Sequence, residues 1–177
     1  TRARLNDDRF MRIAIGLARR GHGNVSPNPS VGCVVVKDGR VVGRGWTQPG
    51  GRPHAEAEAL GRAGAAARGA TVYVTLEPCA HHGQTPPCAQ ALINAGVARV
   101  VVGSRDPDPR VDGGGIKMLA GAGIDVDEGV CAAESADAAA GFLSRVRHGR
   151  PMITAKIAST IDGRIATASG ESQWITG

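Results

Sequence analysis

The chain predicts an α/β fold: one mixed β-sheet with helices on both faces. Three observations carry this. A helical pattern is followed by two strand patterns joined by Asp38-Gly39, a strong two-residue hairpin signal. From residue 54 onward, helical and strand patterns alternate. The length of 177 residues, with 42% of them hydrophobic, suits one globular core domain and little more.

The elements follow in order. Phe10, Ile13, Ala14, Leu17 and Ala18 recur at helical spacing, with Asp7 or Asp8 as cap and Gly21 as stop. Residues 23–29 are a polar loop holding Asn24, Ser26, Asn28 and two prolines. Residues 31–37 read as a buried strand and 40–46 as the returning strand. A Gly/Pro loop over 47–53 leads to a helix over 54–67, with Ala55, Ala59, Leu60 and Ala63 on one face and Gly69 as its end. Residues 70–76 are a strand, 77–87 a loop, and 88–95 a short helix stopped by Gly96. A strand over 99–103, a loop over 104–115 rich in Asp, Pro and Gly, a helix over 116–122, a short strand over 124–126 and a helix over 132–146 complete the pattern. There is no internal repeat and no low-complexity tract.

Residues 147–150 look like a junction between two units, 1–149 and 150–177. Beyond it come a strand and turn over 151–164 and a polar loop over 169–177, with no helix after them. A stretch of about 27 residues cannot bury a core of its own. It reads as the first strand of a second, truncated domain. The chain opens on Thr1 and not Met, which reads as a trimmed start.

Composition narrows the function. No apolar run reaches the roughly 18 residues of a membrane span, and no apolar signal-peptide core lies near Thr1. Four cysteines do not make a disulfide framework in a chain of this size, so the thiols read as reduced and the setting as cytoplasmic. The net charge is +5, scattered along the chain without a basic block, which suits an anionic small substrate as well as nucleic acid. Two Phe, two Trp and one Tyr are few for a platform that stacks single-stranded bases. The reading is no nucleic acid and no membrane, with a homo-oligomer left open.

The chemistry concentrates between Pro53 and Cys88. His54, Cys79 and Cys88 are residue types that bind zinc, and a catalytic zinc takes three protein ligands and keeps a fourth position for water. Glu56 follows His54 by two positions and so projects from the same first turn of a helix. Cys88 also opens a helix, where partial positive charge favours a thiolate. His-x-Glu, then Pro-Cys, then a second Cys is the arrangement of zinc nucleobase deaminases, in which the Glu carries protons and does not bind the metal. Here the two cysteines stand nine positions apart and not three. Taken singly each residue has a plainer reading: His54 as a surface or capping group, Glu56 as a helix N-terminal charge, the cysteines as small buried hydrophobes. Their joint occurrence favours the metal. Cys33 and Cys131 keep the plain reading.

With those residues in view, the sequence resembles the bifunctional deaminase/reductase family of riboflavin biosynthesis. The match is carried by Pro27-Asn28-Pro29-x-Val31-Gly32-Cys33, His54-Ala55-Glu56, Thr75-Leu76-Glu77-Pro78-Cys79 and His81-His82-Gly83-x-Thr85-Pro86-Pro87-Cys88. Further on it rests on Asp106-Pro107-x-Pro109, on Ile157-Ala158-Ser159-x-Ile161-Asp162-Gly163-Arg164, and on Ser169 through Gly177. The resemblance covers nearly the whole chain. It implies a cytidine-deaminase-like three-layer α/β/α domain over residues 1–149. It further implies that residues 150–177 are the truncated start of a dihydrofolate-reductase-like domain.

The resemblance implies hydrolytic removal of the 2-amino group from 2,5-diamino-6-ribosylamino-4(3H)-pyrimidinone 5′-phosphate, a phosphorylated small molecule, with release of ammonia. It implies His54, Cys79 and Cys88 as ligands of Zn²⁺, Glu56 as the catalytic proton carrier, and Asn28 and His81 as substrate contacts. In the tail it implies cofactor contacts at Ala158 and Trp174 and a substrate contact at Ser172. NADPH is then the cofactor of a complete reductase, which reduces the ribosyl group; these 177 residues alone are expected to lack that activity. Two positions depart from the family: Gln84 stands where Lys or Arg is usual, and Asp108 where Asn is usual. Phosphate binding is then expected at the backbone N–H groups of residues 113–115, at Arg105 or at Lys117.

Two other readings stay open on sequence alone. One is a deaminase of another nucleobase or nucleoside, such as guanine, cytidine or tRNA adenosine. The other is a structural zinc module that binds nucleic acid or a partner protein, which needs a fourth protein ligand.

Overall fold

A computed structural model describes residues 2–83 and 86–173. The chain begins with helix α1 (Arg2–Ala18), followed by the hairpin β1 (Gly32–Lys37) and β2 (Arg40–Trp46). Then come α2 (Ala55–Ala63), β3 (Thr71–Leu76), α3 (Cys88–Ala95), β4 (Arg99–Ser104), α4 (Gly114–Gly121) and β5 (Asp125–Glu128). Two short helices close the folded part, α5 (Ala132–Ala138) and α6 (Ala140–His148).

The five strands form one mixed sheet in the order β2-β1-β3-β4-β5. β1 pairs antiparallel with β2 and β3, while β3–β4 and β4–β5 are parallel. Strand side chains alternate between the two faces, and the core divides accordingly. Cys33, Val35, Val72, Val74, Val100 and Val102 pack with the alanines of α2 and with Leu92 and Leu119. Val34, Val36, Tyr73 and Val101 pack with Phe10, Met11, Ala14 and Ile15 of α1 and with Ala138 of α5. The three-layer α/β/α expectation therefore holds.

Close approach between layers depends on glycines in β2. A Cβ on Gly45 would lie 2.2 Å from the Ala55 carbonyl oxygen, and one on Gly43 2.2 Å from that of Ala59. α2 is thereby seated directly on the strand, which fixes the height of its first turn.

The structure corrects the sequence reading at three places. α1 starts before the expected Asp7/Asp8 cap; Asp7 lies inside the helix and turns inward to accept hydrogen bonds from Tyr73 (2.8 Å) and Arg99 (2.9 Å). The single helix expected over 132–146 is two, broken at Ala139 (φ −112°, ψ 14°). The break lets Ala138 pack on the α1 side while Ala139 and Leu143 join the opposite core cluster. Residues 151–173 form no strand and are all exposed, Ile153, Ile157, Ile161 and Ile165 included. An extended segment without a neighbouring strand has no partners for its backbone groups except water. Among the described residues, no helix is long and apolar enough to cross a membrane.

Candidate metal centre

The site lies where the C-terminal ends of β3 and β4 meet the N-terminal ends of α2, α3 and α4. Crevices at the carboxyl ends of strands in open α/β sheets are common ligand sites. His54 is the residue that precedes α2, in extended conformation. Cys88 is the first residue of α3, immediately after Pro87. Cys79 follows β3 by three positions and accepts a hydrogen bond from the Cys88 backbone N–H at 3.3 Å.

The three side chains converge. His54 Nδ1 lies 3.3 Å from Cys88 Sγ and 3.9 Å from Cys79 Sγ. All three donor atoms fall within 4.8 Å of one another, with no fourth His, Cys, Asp or Glu donor in the group among the described residues. Tetrahedral zinc, with bonds of about 2.0–2.1 Å to nitrogen and about 2.3 Å to sulfur, sets N···S separations of about 3.6 Å. The observed pair straddles that value, and the donor set of one imidazole and two sulfurs suits zinc. The residues present therefore fit the ion.

Electrostatics within the group favour one thiolate. Cys79 is held well below the ordinary thiol range, chiefly by a hydrogen bond from Cys88, with His54 and the Cys88 backbone adding to it against burial. Cys88 is pushed up, first by that same bond to Cys79 and then by burial. His54 is raised by its hydrogen bond to Cys79. Glu56, 4% exposed, is pushed up to about 7, first by burial and then by the negative charge of Cys79.

His54, Glu56 and Cys79 line a cavity of about 640 Å³. Asn28 and His81 line it too. Asn28 Nδ2 donates to the Gly51 carbonyl at 2.7 Å and lies 3.4 Å from His54 Nε2, on the side of the ring away from the sulfurs. His81 Nδ1 is buried with no hydrogen-bond partner among the described residues. Of the tail residues, Ala158 and Ser172 are exposed and away from this cavity. Trp174 and Gln84 lie outside the described residues.

Glu77 is the residue that sequence reasoning missed. Its buried carboxylate accepts hydrogen bonds from the backbone N–H groups of Gly115 (3.0 Å), Gly113 (3.1 Å), Ile116 (3.3 Å) and Asp106 (3.4 Å). It therefore caps α4 and ties the Asp106 loop to it. A Cβ on Gly115 would lie 1.9 Å from the Pro78 carbonyl oxygen, so glycine is needed for this approach. The Gly113 and Gly115 amides expected for phosphate are thus already engaged. Arg105 pairs with Glu128 (2.5 Å), and Lys117 is exposed outside the cavity. The available signal was a carboxylate directly after a strand together with a glycine run at a helix start.

Residues 4–104 match the family model described as cytidine and deoxycytidylate deaminase zinc-binding region. The chain belongs to this family. Similar members are longer. The riboflavin biosynthesis protein RibD of Escherichia coli is 55% identical over 172 residues, which is 97% of this chain and 47% of that protein. The solved structure of Acinetobacter baumannii RibD, form 1, superposes with a TM-score of 0.85 at 51% identity, covering 98% of this chain and 49% of that one. A diaminohydroxyphosphoribosylaminopyrimidine deaminase/5-amino-6-(5-phosphoribosylamino)uracil reductase of Thermotoga maritima gives a TM-score of 0.90 at 46% identity, over 99% of this chain and 51% of that one. The chain spans about half the length of the curated relatives it matches. The matched region contains His54, Cys79 and Cys88, whose donor atoms converge, and the buried Glu56.

Proposed function

We propose that the chain hydrolyses the 2-amino group of 2,5-diamino-6-ribosylamino-4(3H)-pyrimidinone 5′-phosphate, giving 5-amino-6-ribosylaminouracil 5′-phosphate and ammonia, a step of riboflavin biosynthesis. The observation that carries the reading is the convergence of His54, Cys79 and Cys88, with His54, Cys79 and the buried Glu56 at the wall of one cavity. The substrate comes from the likeness to proteins of that pathway over 97% of the chain.

Zinc held by His54 Nδ1 and the two sulfurs would keep a position for water and make that water a stronger acid. Glu56 accepts a proton at its carboxylate and hands it to the departing amino nitrogen, so one side chain serves both transfers. The net change is C2–NH₂ plus H₂O to C2=O plus NH₃. Asn28 and His81 hold the pyrimidine. An amide presents both donors and acceptors to a base edge, and the unpartnered His81 Nδ1 acquires its partner there. Burial of Glu56 shields its carboxyl from bulk water.

In a longer protein the tail opens a domain that reduces the ribosyl group with NADPH, with Ala158, Ser172 and Trp174 as its contacts. The boundary falls near residues 149–150. Four free cysteines suit a reducing, cytoplasmic setting.

The test joins metal analysis to ammonia release across a panel of the diaminopyrimidinone nucleotide, guanine, cytidine and tRNA adenosine. Glu56→Gln should keep about one zinc per chain and lose at least about 100-fold in turnover. Loss of zinc together with turnover would overturn the proton-carrying role. Preference for another member of the panel would overturn the substrate.

A further inference from the structure

The proposed substrate ends in a phosphate, and its pyrimidine must sit against Glu56. The phosphate therefore meets the protein farther out along the same cavity. The Gly113 and Gly115 amides are held by Glu77, and Arg105 and Lys117 do not line the cavity. The arginines that do are Arg52, Arg110 and Arg145. Arg145 donates from Nη2 to the Pro27 carbonyl at 2.9 Å. Arg110 is placed differently. Asp108 grips one edge of its guanidinium: Nε donates to Oδ1 (2.9 Å) and Oδ2 (3.1 Å), and Nη2 donates to Oδ2.

The grip is anchored from below. The Asp108 side chain is only 10% exposed, while that of Arg110 is 69% exposed. Asp108 also accepts the Arg110 backbone N–H at 3.0 Å, and its own N–H donates to Asp106 Oδ1 at 2.9 Å. The Asp106 N–H in turn donates to Glu77, the cap of α4. The guanidinium has five N–H donors in a fixed fork. Asp108 occupies the Nε–Nη2 edge, and among the described residues no hydrogen bond engages Nη1, which leaves the Nη1–Nη2 edge of this cavity-lining side chain available. That edge matches two oxygens of a phosphate.

Resting on the deaminase reading above, we infer that Arg110, oriented by Asp108, binds the 5′-phosphate and sets the preference for nucleotide over nucleoside. Asp108 then orients the cation, where an aspartate alone would repel the anion.

The test compares kcat/KM for the diaminopyrimidinone nucleotide and for its dephosphorylated nucleoside, in the unaltered chain, Arg110→Ala and Arg105→Ala. Arg110→Ala should lower the nucleotide value about 10- to 100-fold, mainly through KM. It should leave the nucleoside value within about twofold, and Arg105→Ala should change neither. Equal loss on both substrates, or no loss on the nucleotide, would overturn the assignment. Isothermal titration with the phosphorylated and dephosphorylated uracil products runs in parallel. It judges Arg110 by binding even where the unaltered chain turns over neither substrate, a result that would instead remove the deaminase reading.

Discussion

Asp106 is a buried carboxyl in the cavity wall, 6% exposed, and burial pushes its pKa up to about 6. A carboxyl raised by folding favours the protonated form in the native state. Its stabilising contribution is present below the unfolded value near 3.8 and is lost as pH rises through about 6. Asp106→Asn keeps an oxygen to accept the Asp108 N–H and removes the buried charge. The variant should melt a few degrees higher than the unaltered chain at pH 8 and show no gain at pH 4, as read by calorimetry. A gain that is equal at both pH values would show that the charge is not the cause. At this scale the convergence of His54, Cys79 and Cys88 was legible because type and spacing mark them: His54, then Glu56, then two cysteines each following a proline. Glu77 was not, because its role is defined by amides 36 to 39 residues away that only the fold brings to it. Asp108 was legible as a departure, but its partner Arg110 became meaningful only once the cavity placed both at one rim.

α1 is tied to the sheet by more than its apolar stripe. Asp7 accepts hydrogen bonds from Arg99 on β4 and Tyr73 on β3, and Arg99 also reaches Asp127 on β5 at 2.6 Å. The Arg99 hydrogen bonds hold the Asp7 carboxyl below its ordinary range, with Tyr73 adding and burial opposing. A depressed carboxyl contributes stability above its unfolded pKa and loses it as pH falls through the folded value. Asp7→Ala should therefore cost about 2 kcal/mol at pH 7, seen in urea unfolding, and the cost should shrink as pH falls below the ordinary carboxyl value of 3.8. A cost independent of pH would assign the effect to packing. Periodicity found α1 but missed its start. The helix continues upstream of Asp7 although Asp is a favoured cap, because tertiary partners on two strands recruit that side chain inward. The break at Ala139 had no local signal at all: three successive alanines favour helix, and only the division of the core between Ala138 and Ala139 requires a turn there.

Seen as a whole, the molecule is a compact three-layer body followed by a segment that takes no part in it. A strand expected over 151–164 is not realised, since pairing is a property of two segments and no strand of the described sheet pairs with this one. Hydrophobic stabilisation follows apolar area removed from water, about 25 cal/mol per Å². Residues 153–173 are exposed throughout, and Ile153, Ile157, Ile161 and Ile165 range from 69% to 109% exposure, so they contribute almost none of it. The metal centre, the Glu77 cap and the Asp7 network all lie within the first 150 residues. Ending the chain after Met152 should therefore leave Tm within about 2 °C of the unaltered value and zinc content unchanged. It should also reduce self-association, because a run of exposed isoleucines is an adhesive surface. Calorimetry, metal analysis and light scattering on the shortened chain check all three. A fall in Tm beyond that range would mean that the segment packs against the body in solution.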